Sequence, residues 1–127
     1  MDERETVVGA LRQAFESEPE VVFAYLFGSL AAGGFGPSSD IDVAVMISGV
    51  APSMRKRLSL HHRLAKSFNR EIDLVILNDA RSFELRRVIA TKGKILIDRD
   101  PAAREDFELY AIHDWIDFQG MKASIHG

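Results

Sequence analysis

Residues 21–47 read VVFAYLFGSLAAGGFGPSSDIDVAVMI, and this stretch predicts both the fold and the site. Its β-branched and aromatic ends predict two strands, over 21–27 and 41–47. Between them, residues 28–39 hold four glycines and one proline, a composition typical of a loop. The second strand opens on two carboxylates one residue apart, Asp40 and Asp42. Because strand side chains alternate between faces, both carboxylates point the same way.

The Gly28-Ser29 turn and the Asp40-x-Asp42 pair predict chemistry on a nucleoside triphosphate. Backbone N–H groups and a hydroxyl at a Gly-Ser turn suit a phosphate. Two carboxylates held this close repel each other unless a cation lies between them, and Mg²⁺ prefers oxygen ligands and accompanies phosphates. An Asp-x-Asp pair alone is also common as a strand start with an Asx turn. The spacing behind Gly28-Ser29, with a strand on each side, favours the catalytic interpretation.

A third carboxylate, Asp73, is expected at the same edge of the sheet. The segment between the second strand and residues 71–77 (EIDLVIL) has a helical pattern and is long enough for a parallel crossover. That topology puts the starts of both strands at one edge, and an antiparallel first strand brings Gly28-Ser29 there as well. Every second residue from Ile72 is apolar, which leaves Asp73 on the other face. The alternative is an acid that caps a turn or pairs with Arg70.

Length and composition are those of an ordinary globular domain. With 127 residues, 46% hydrophobic and 28% charged, we expect one domain over 1–127 with its own core. The net charge of −3 argues against a protein that mainly grips nucleic acid, so no direct nucleic-acid binding is expected. No apolar run approaches the ~20 residues of a membrane span. The lack of cysteine excludes disulfides and thiolate zinc sites and is compatible with a cytoplasmic location.

Hydrophobic periodicity predicts four helices and four strands. The helices cover 3–17, 52–69, 82–92 and 101–118, and the strands cover 21–27, 41–47, 71–77 and 94–97. We therefore predict an α/β (α+β) domain with a small mixed sheet flanked by helices.

Two groups of side chains on the later helices have alternative interpretations. Aromatic residues lie among acids on the last helix, which suits either a protein partner or the core of a small domain. These are Phe107, Tyr110, Trp115 and Phe118, and we expect at least half of them in the core. Arg81, Arg86 and Arg87 are expected to face solvent.

The combined motif resembles the DNA polymerase β-like nucleotidyltransferase superfamily: Gly28-Ser29, ten residues, Asp40-x-Asp42, then Asp73 in a strand. The short α/β layout resembles the minimal nucleotidyltransferase (MNT) branch. That resemblance implies ATP as nucleotide donor, Mg²⁺, and a helical HEPN partner, often a ribonuclease toxin, whose tyrosine the MNT antitoxin adenylylates. It further implies that Gly28 and Ser29 contact the triphosphate. Asp40, Asp42 and Asp73 would then be the catalytic, metal-binding carboxylates.

One position departs from the pattern of the superfamily. Many relatives read G-S-x-A-R-G, and Ala32 stands where the arginine falls. A guanidinium there could clamp phosphate oxygens in a fork. Arg55, Lys56 and Arg57 are candidates to replace it, although a solvated helix face is the plainer interpretation.

Two other functions stay open: a non-catalytic antitoxin that occludes its partner, and a small-molecule adenylyltransferase of the aminoglycoside type, which usually needs a further helical domain.

Overall fold

The computed structural model describes residues 3–28, 31, 40–68 and 70–126 as a four-stranded sheet with helices on both faces. The described helices are α1 (Glu3–Glu16), α2 (Met54–Ala65), α3 (Phe83–Lys92) and α4 (Pro101–His126). The strands are β1 (Val21–Phe27), β2 (Ile41–Ile47), β3 (Ile72–Ile76) and β4 (Lys94–Asp98). Their order is β3-β2-β1-β4; β1 is antiparallel to β2 and β4, and β2 is parallel to β3. The predicted mixed sheet is confirmed.

Alternating strand side chains build a core on each face of the sheet. On β2, Ile41, Val43 and Val45 pack towards α1 and α2. Ala44 and Met46 pack towards α3 and α4 on the opposite face. Because helices cover both faces, β1 is buried along almost its whole length, as is usual for strands between two helical layers.

The α2 and α4 helices, whose bounds differ most from the prediction, both begin at identifiable caps. The α2 helix begins after Ser53, whose hydroxyl accepts a hydrogen bond from the Lys56 amide at 3.3 Å. The α4 helix begins after Asp100, whose carboxylate accepts from the Ala103 amide at 3.1 Å. It continues to His126, so the predicted end at residue 118 is wrong. A single Gly120 costs about 1 kcal/mol inside a helix and does not end it.

A half-buried polar network holds the start of α4 against the sheet. The Tyr25 hydroxyl donates to Glu108 at 2.7 Å, and Arg104 donates to the same carboxylate at 2.8 Å. Arg104 also donates to Asp98 on β4 at 2.7 Å. Burial, followed by the adjacent Glu108 carboxylate, raises the pKa of the Tyr25 phenol far above its ordinary value. Tyr25 therefore remains a donor, and the network fixes the rotation of α4 about its axis.

The aromatic residues of α4 divide between the core and the surface. Phe107 is buried, Trp115 and Phe118 are half-buried, and Tyr110 is 63% exposed. The Phe107 ring packs 5.8 Å from the Phe23 ring and 6.0 Å from the Tyr25 ring, measured between centroids. Only Phe107 belongs to the buried core, so the expectation that at least half of these aromatics complete the core is wrong; Trp115 and Phe118 pack against each other instead, with ring centroids 6.0 Å apart.

Of the three arginines in and just before α3, two are not solvent-facing as expected. Arg81 is exposed, as expected. Arg86, however, donates to Asp114 on α4 at 2.9 Å, and Arg87 lies 4.9 Å from the centre of the Trp115 ring. Both are half-buried, so the prediction is wrong for them. They join α3 to α4 because the acid and the aromatic ring stand opposite them.

None of the described helices is long and apolar enough to cross a membrane.

Candidate active site

The ends of three strands meet where the sequence predicts the site. Asp42 is paired across β1 with Phe27, the residue before Gly28. On its other side it is paired with Asp73 in the parallel strand β3. Asp40 lies directly before β2. The parallel crossover and the antiparallel first pair are thus both confirmed, and they bring Gly28 and the three aspartates to one edge of the sheet.

Gly28 is packed directly against the Asp42 carboxylate. Its φ is +73°, in the left-handed region that side chains rarely adopt. A Cβ added to Gly28 would lie 2.3 Å from Asp42 Oδ2 and 3.1 Å from its Cγ. The turn therefore requires glycine for two independent reasons, its backbone conformation and the space that the carboxylate occupies.

Asp42 is the half-buried one of the three aspartates. Burial raises the pKa of the Asp42 carboxyl above its ordinary value, and the charges of Asp73 and then Asp40 raise it further. Asp42 is half-buried, whereas Asp40 and Asp73 are exposed. A carboxylate that is partly desolvated between two others is stabilised by a nearby cation. The electrostatics of this edge thus favour binding of a positive ion.

The donor set fits a hard divalent cation. Carboxylate oxygens are the ligands that Mg²⁺ prefers, usually one or two per ion together with waters and substrate phosphates. Within residues 3–28, 31, 40–68 and 70–126, no three His, Cys, Asp or Glu side chains converge as a preassembled metal cage. An ion that shares its ligands between two aspartates and a triphosphate does not require such a cage. The exposed Asp40 and Asp73 leave the edge open to a phosphate-bound ion.

Part of the predicted phosphate site lies outside the described residues. This applies to Ser29 and to Ala32, the position at which many relatives carry arginine. Between them, Ala31 is described, and its carbonyl accepts a hydrogen bond from Arg4 Nη2 on α1 at 3.0 Å. Sequence reasoning missed Arg4. The position of Arg4 in the sequence could have indicated it. A cation in the first turn of a helix is unfavourable next to the helix dipole, so a stabilising partner outside the helix is expected.

The cations of α2 lie away from the aspartates. Arg57 donates to Asp79, a residue that follows the carboxyl end of β3, whereas Asp73 lies near the start of that strand. Arg55 and Lys56 are exposed on the same turn of α2. The plainer interpretation, a solvated helix face, is therefore confirmed for Arg55 and Lys56. Arg57 forms an ion pair at the far end of the sheet.

The edge of the sheet that carries Asp40, Asp42 and Asp73 is called the aspartate edge below. Together with the fold, it defines a class of protein. Residues 10–102 match the family model described as polymerase beta, nucleotidyltransferase. The chain belongs to this family.

One relative and two solved structures are similar to most of this chain. The chain is 31% identical over 105 residues to the protein adenylyltransferase MntA of Shewanella oneidensis, a match that covers 83% of this chain and 71% of that protein. A crystal structure of a toxin–antitoxin with AMP-PNP superimposes with a TM-score of 0.79 at 28% identity, covering 93% of this chain and 94% of that one. A structure of tri-AMPylated Shewanella oneidensis HEPN toxin in complex with MNT antitoxin matches with a TM-score of 0.75 at 25% identity, covering 96% of this chain and 94% of that one.

Proposed function

We propose that this chain is an Mg-ATP-dependent protein adenylyltransferase that transfers AMP to a hydroxyl, a tyrosine, of a HEPN toxin and so acts as its antitoxin. One observation carries the proposal: Asp42 is flanked by Asp40 and Asp73 and contacts Gly28 at the strand edge of a polymerase β-family fold. The likeness to MntA and to toxin–antitoxin structures supports the choice of acceptor.

The reaction forms one bond and breaks one. The acceptor hydroxyl oxygen attacks the α-phosphorus of ATP, and the bond from that phosphorus to the oxygen bridging the β-phosphate breaks. Pyrophosphate leaves with that oxygen, and the acceptor keeps AMP through a new phosphodiester. In this assignment Asp73, exposed at the edge, accepts the hydroxyl proton. Backbone N–H groups at Gly28 and the Ser29 hydroxyl bind the triphosphate.

Asp40 and Asp42 are the residues that would hold Mg²⁺, with Asp73 completing the acidic set. When bound, the ion neutralises charge that develops on the phosphate oxygens and on the departing pyrophosphate. The chain itself keeps Asp42 partly desolvated and close to Gly28. The Asp42 carboxylate thereby keeps a fixed position relative to the turn at Gly28. Fixed geometry of this kind contributes through orientation.

The purified chain, incubated with ATP, Mg²⁺ and the HEPN protein proposed as its partner, tests the proposal by intact-mass analysis. We expect the HEPN protein to gain the mass of one or more AMP groups and to lose its toxicity. Tandem mass spectrometry should place the adduct on a tyrosine hydroxyl. Neutralisation of the toxin without any gain in mass would overturn the proposal and identify occlusion as the mechanism.

Replacing Arg4 with methionine is expected to raise the KM for ATP by about 10-fold and to change kcat little. The substitution keeps the length of the side chain but removes the hydrogen bond to the Ala31 carbonyl, a bond from a charged donor worth about 1.5–3 kcal/mol. Loss of this bond removes the contact that holds the Ala31 carbonyl to α1, three residues after Gly28, and we therefore expect weaker binding of the nucleotide. Initial rates measured over a range of ATP concentrations separate the two parameters.

Arg12→Met is the matched control for this prediction. Arg12 lies on the same helix and donates to the Ile95 carbonyl of β4 at 3.3 Å, away from the segment at Ala31. We expect its KM for ATP to stay within about twofold of wild type, since surface substitutions of this kind have small effects. Equal increases in KM for both variants would show that loosening α1, and not the contact to Ala31, is responsible.

A further inference from the structure

The outward-facing side of α4 carries four large apolar side chains in two rows. Leu109 and Ile116 are 54% and 59% exposed; Tyr110 and Met121 are 63% and 61% exposed. Spacings of seven and eleven residues place the members of each pair within about 20° of each other around the helix. The two rows lie about 120° apart around the helix, so Asp106 and Asp117 lie between them and Glu105 lies beside the row of Leu109 and Ile116. We call this surface the outer face of α4.

Contacts on the opposite side of α4 hold these apolar rows in the solvent. Phe107 and Ala111 are buried against the sheet, and Glu108 accepts the hydrogen bond of Tyr25. Asp114 accepts from Arg86 on α3 at 2.9 Å. The helix cannot rotate to bury the rows without breaking these contacts. Several large apolar side chains fixed in an exposed position on one helix mark an interaction surface more often than an isolated one does.

The α4 helix lies beyond the part of the chain that matches the nucleotidyltransferase family. The family model ends at residue 102, and α4 starts at Pro101. The helix has 26 of the 127 residues, about a fifth of the chain. A structural match that omitted it could not reach the 93% and 96% of this chain that the two toxin–antitoxin structures cover. The helix is thus shared with toxin–antitoxin proteins and lies outside the family's matched catalytic region.

The charge of the outer face discriminates between possible occupants. Between residues 105 and 121 the side chains on this face include three carboxylates, at Glu105, Asp106 and Asp117, and no lysine or arginine. Two copies of the chain packed through this face would bring carboxylates against carboxylates, which is unfavourable. A partner whose apolar surface carries lysine or arginine opposite Asp106 and Asp117 would satisfy both the apolar rows and the acids between them.

We propose that the outer face of α4 is the surface that docks the HEPN partner, through apolar side chains on that partner with basic side chains opposite Asp106 and Asp117. The identity of the partner rests on the proposed function; the surface itself rests on the exposure, rotation and charge of α4. Leu109 and Ile116 are the anchors, since exposed apolar side chains at the centre of such a patch contribute most of the binding. Docking through α4 is separate from the aspartate edge.

Leu109→Ser/Ile116→Ser tests the docking surface, with binding to the HEPN protein measured by calorimetry. We expect Kd to rise by about 100-fold or more, as for loss of two interface anchors. The Kd for ATP should not change, because neither residue belongs to the aspartate edge. Leu58→Ser is the matched control: Leu58 is 62% exposed on α2, behind the other face of the sheet, and its loss should leave both constants unchanged.

A charge variant keeps the test independent of the apolar substitutions. Asp106→Lys/Asp117→Lys should weaken HEPN binding, and the salt dependence of the remaining affinity should decrease or reverse. Melting temperatures and circular dichroism verify that each variant is folded. Unchanged HEPN affinity in both double variants would overturn the proposal. So would sedimentation data in which the wild type is a dimer and the α4 variants are monomers.

Failure of the docking proposal and failure of the proposed adenylyltransferase function give different results in these experiments. If the α4 variants lose HEPN binding but the wild type adds no AMP, the docking surface stands and the adenylyltransferase proposal fails. If the wild type adds AMP and the variants bind normally, the docking proposal alone fails. A wild-type chain that does not bind the HEPN protein overturns both.

Discussion

Asp42→Asn is expected to lower the rate of AMP transfer by about 10³-fold or more while the protein stays folded. The substitution keeps the shape of the side chain and removes the charge that would hold the ion. Loss of roughly 4 kcal/mol of transition-state stabilisation, within the several kcal/mol typical of a catalytic metal, gives that factor. The fold should not suffer, because Asp42 is partly buried between two like charges and its pKa is raised. The melting temperature should be equal to that of wild type or higher.

Asp79→Asn is the control for this substitution. It makes the same chemical change at an exposed aspartate that pairs with Arg57 beyond the carboxyl end of β3. Transfer by this variant should stay within about twofold of wild type, since exposed ion pairs contribute little. The rate is read from AMP incorporation by intact mass, and stability from thermal melting. An Asp42→Asn protein that transfers AMP at the wild-type rate would refute the assignment of the aspartate edge.

Local patterns in the sequence were sufficient to predict the aspartate edge. The alternation around Ile72 and the helical crossover before it place Asp73 beside Asp42, and the strand register shows these two residues as partners. The prediction succeeded because strand side chains repeat every two residues and a parallel crossover needs an intervening helix. Both rules operate within short segments, so no long-range information was needed.

Contacts between distant segments could not be predicted in this way. Arg4 meets Ala31 across 27 residues, and Tyr25 meets Glu108 across 83. Neither pairing has a periodic signature, because it depends on how α1 and α4 cross the sheet. The same limit explains the error at Arg86, whose partner Asp114 lies on another helix. Side chains that join two elements look like ordinary surface residues until the elements are placed together.

Gly28→Ala is expected to reduce AMP transfer by about 10²-fold and to destabilise the fold by about 1–2 kcal/mol. The stability loss follows from φ of +73°, since the left-handed region is costly for residues with a Cβ. The loss of transfer has a separate cause. The added Cβ would lie 2.3 Å from Asp42 Oδ2, so the carboxylate has to move. Displacement of a reacting group by about 1 Å can cost 10²-fold in rate.

Gly49→Ala separates the two effects. Gly49 has nearly the same backbone conformation, with φ of +79°, but a Cβ there would meet nothing within 4 Å. This variant should lose a similar amount of stability and keep its rate of transfer, measured below the melting temperature of both proteins. If Gly49→Ala lost transfer as severely as Gly28→Ala, general loss of stability would explain both results. If only Gly28→Ala loses transfer, the contact between this glycine and Asp42 is what positions the carboxylate for catalysis.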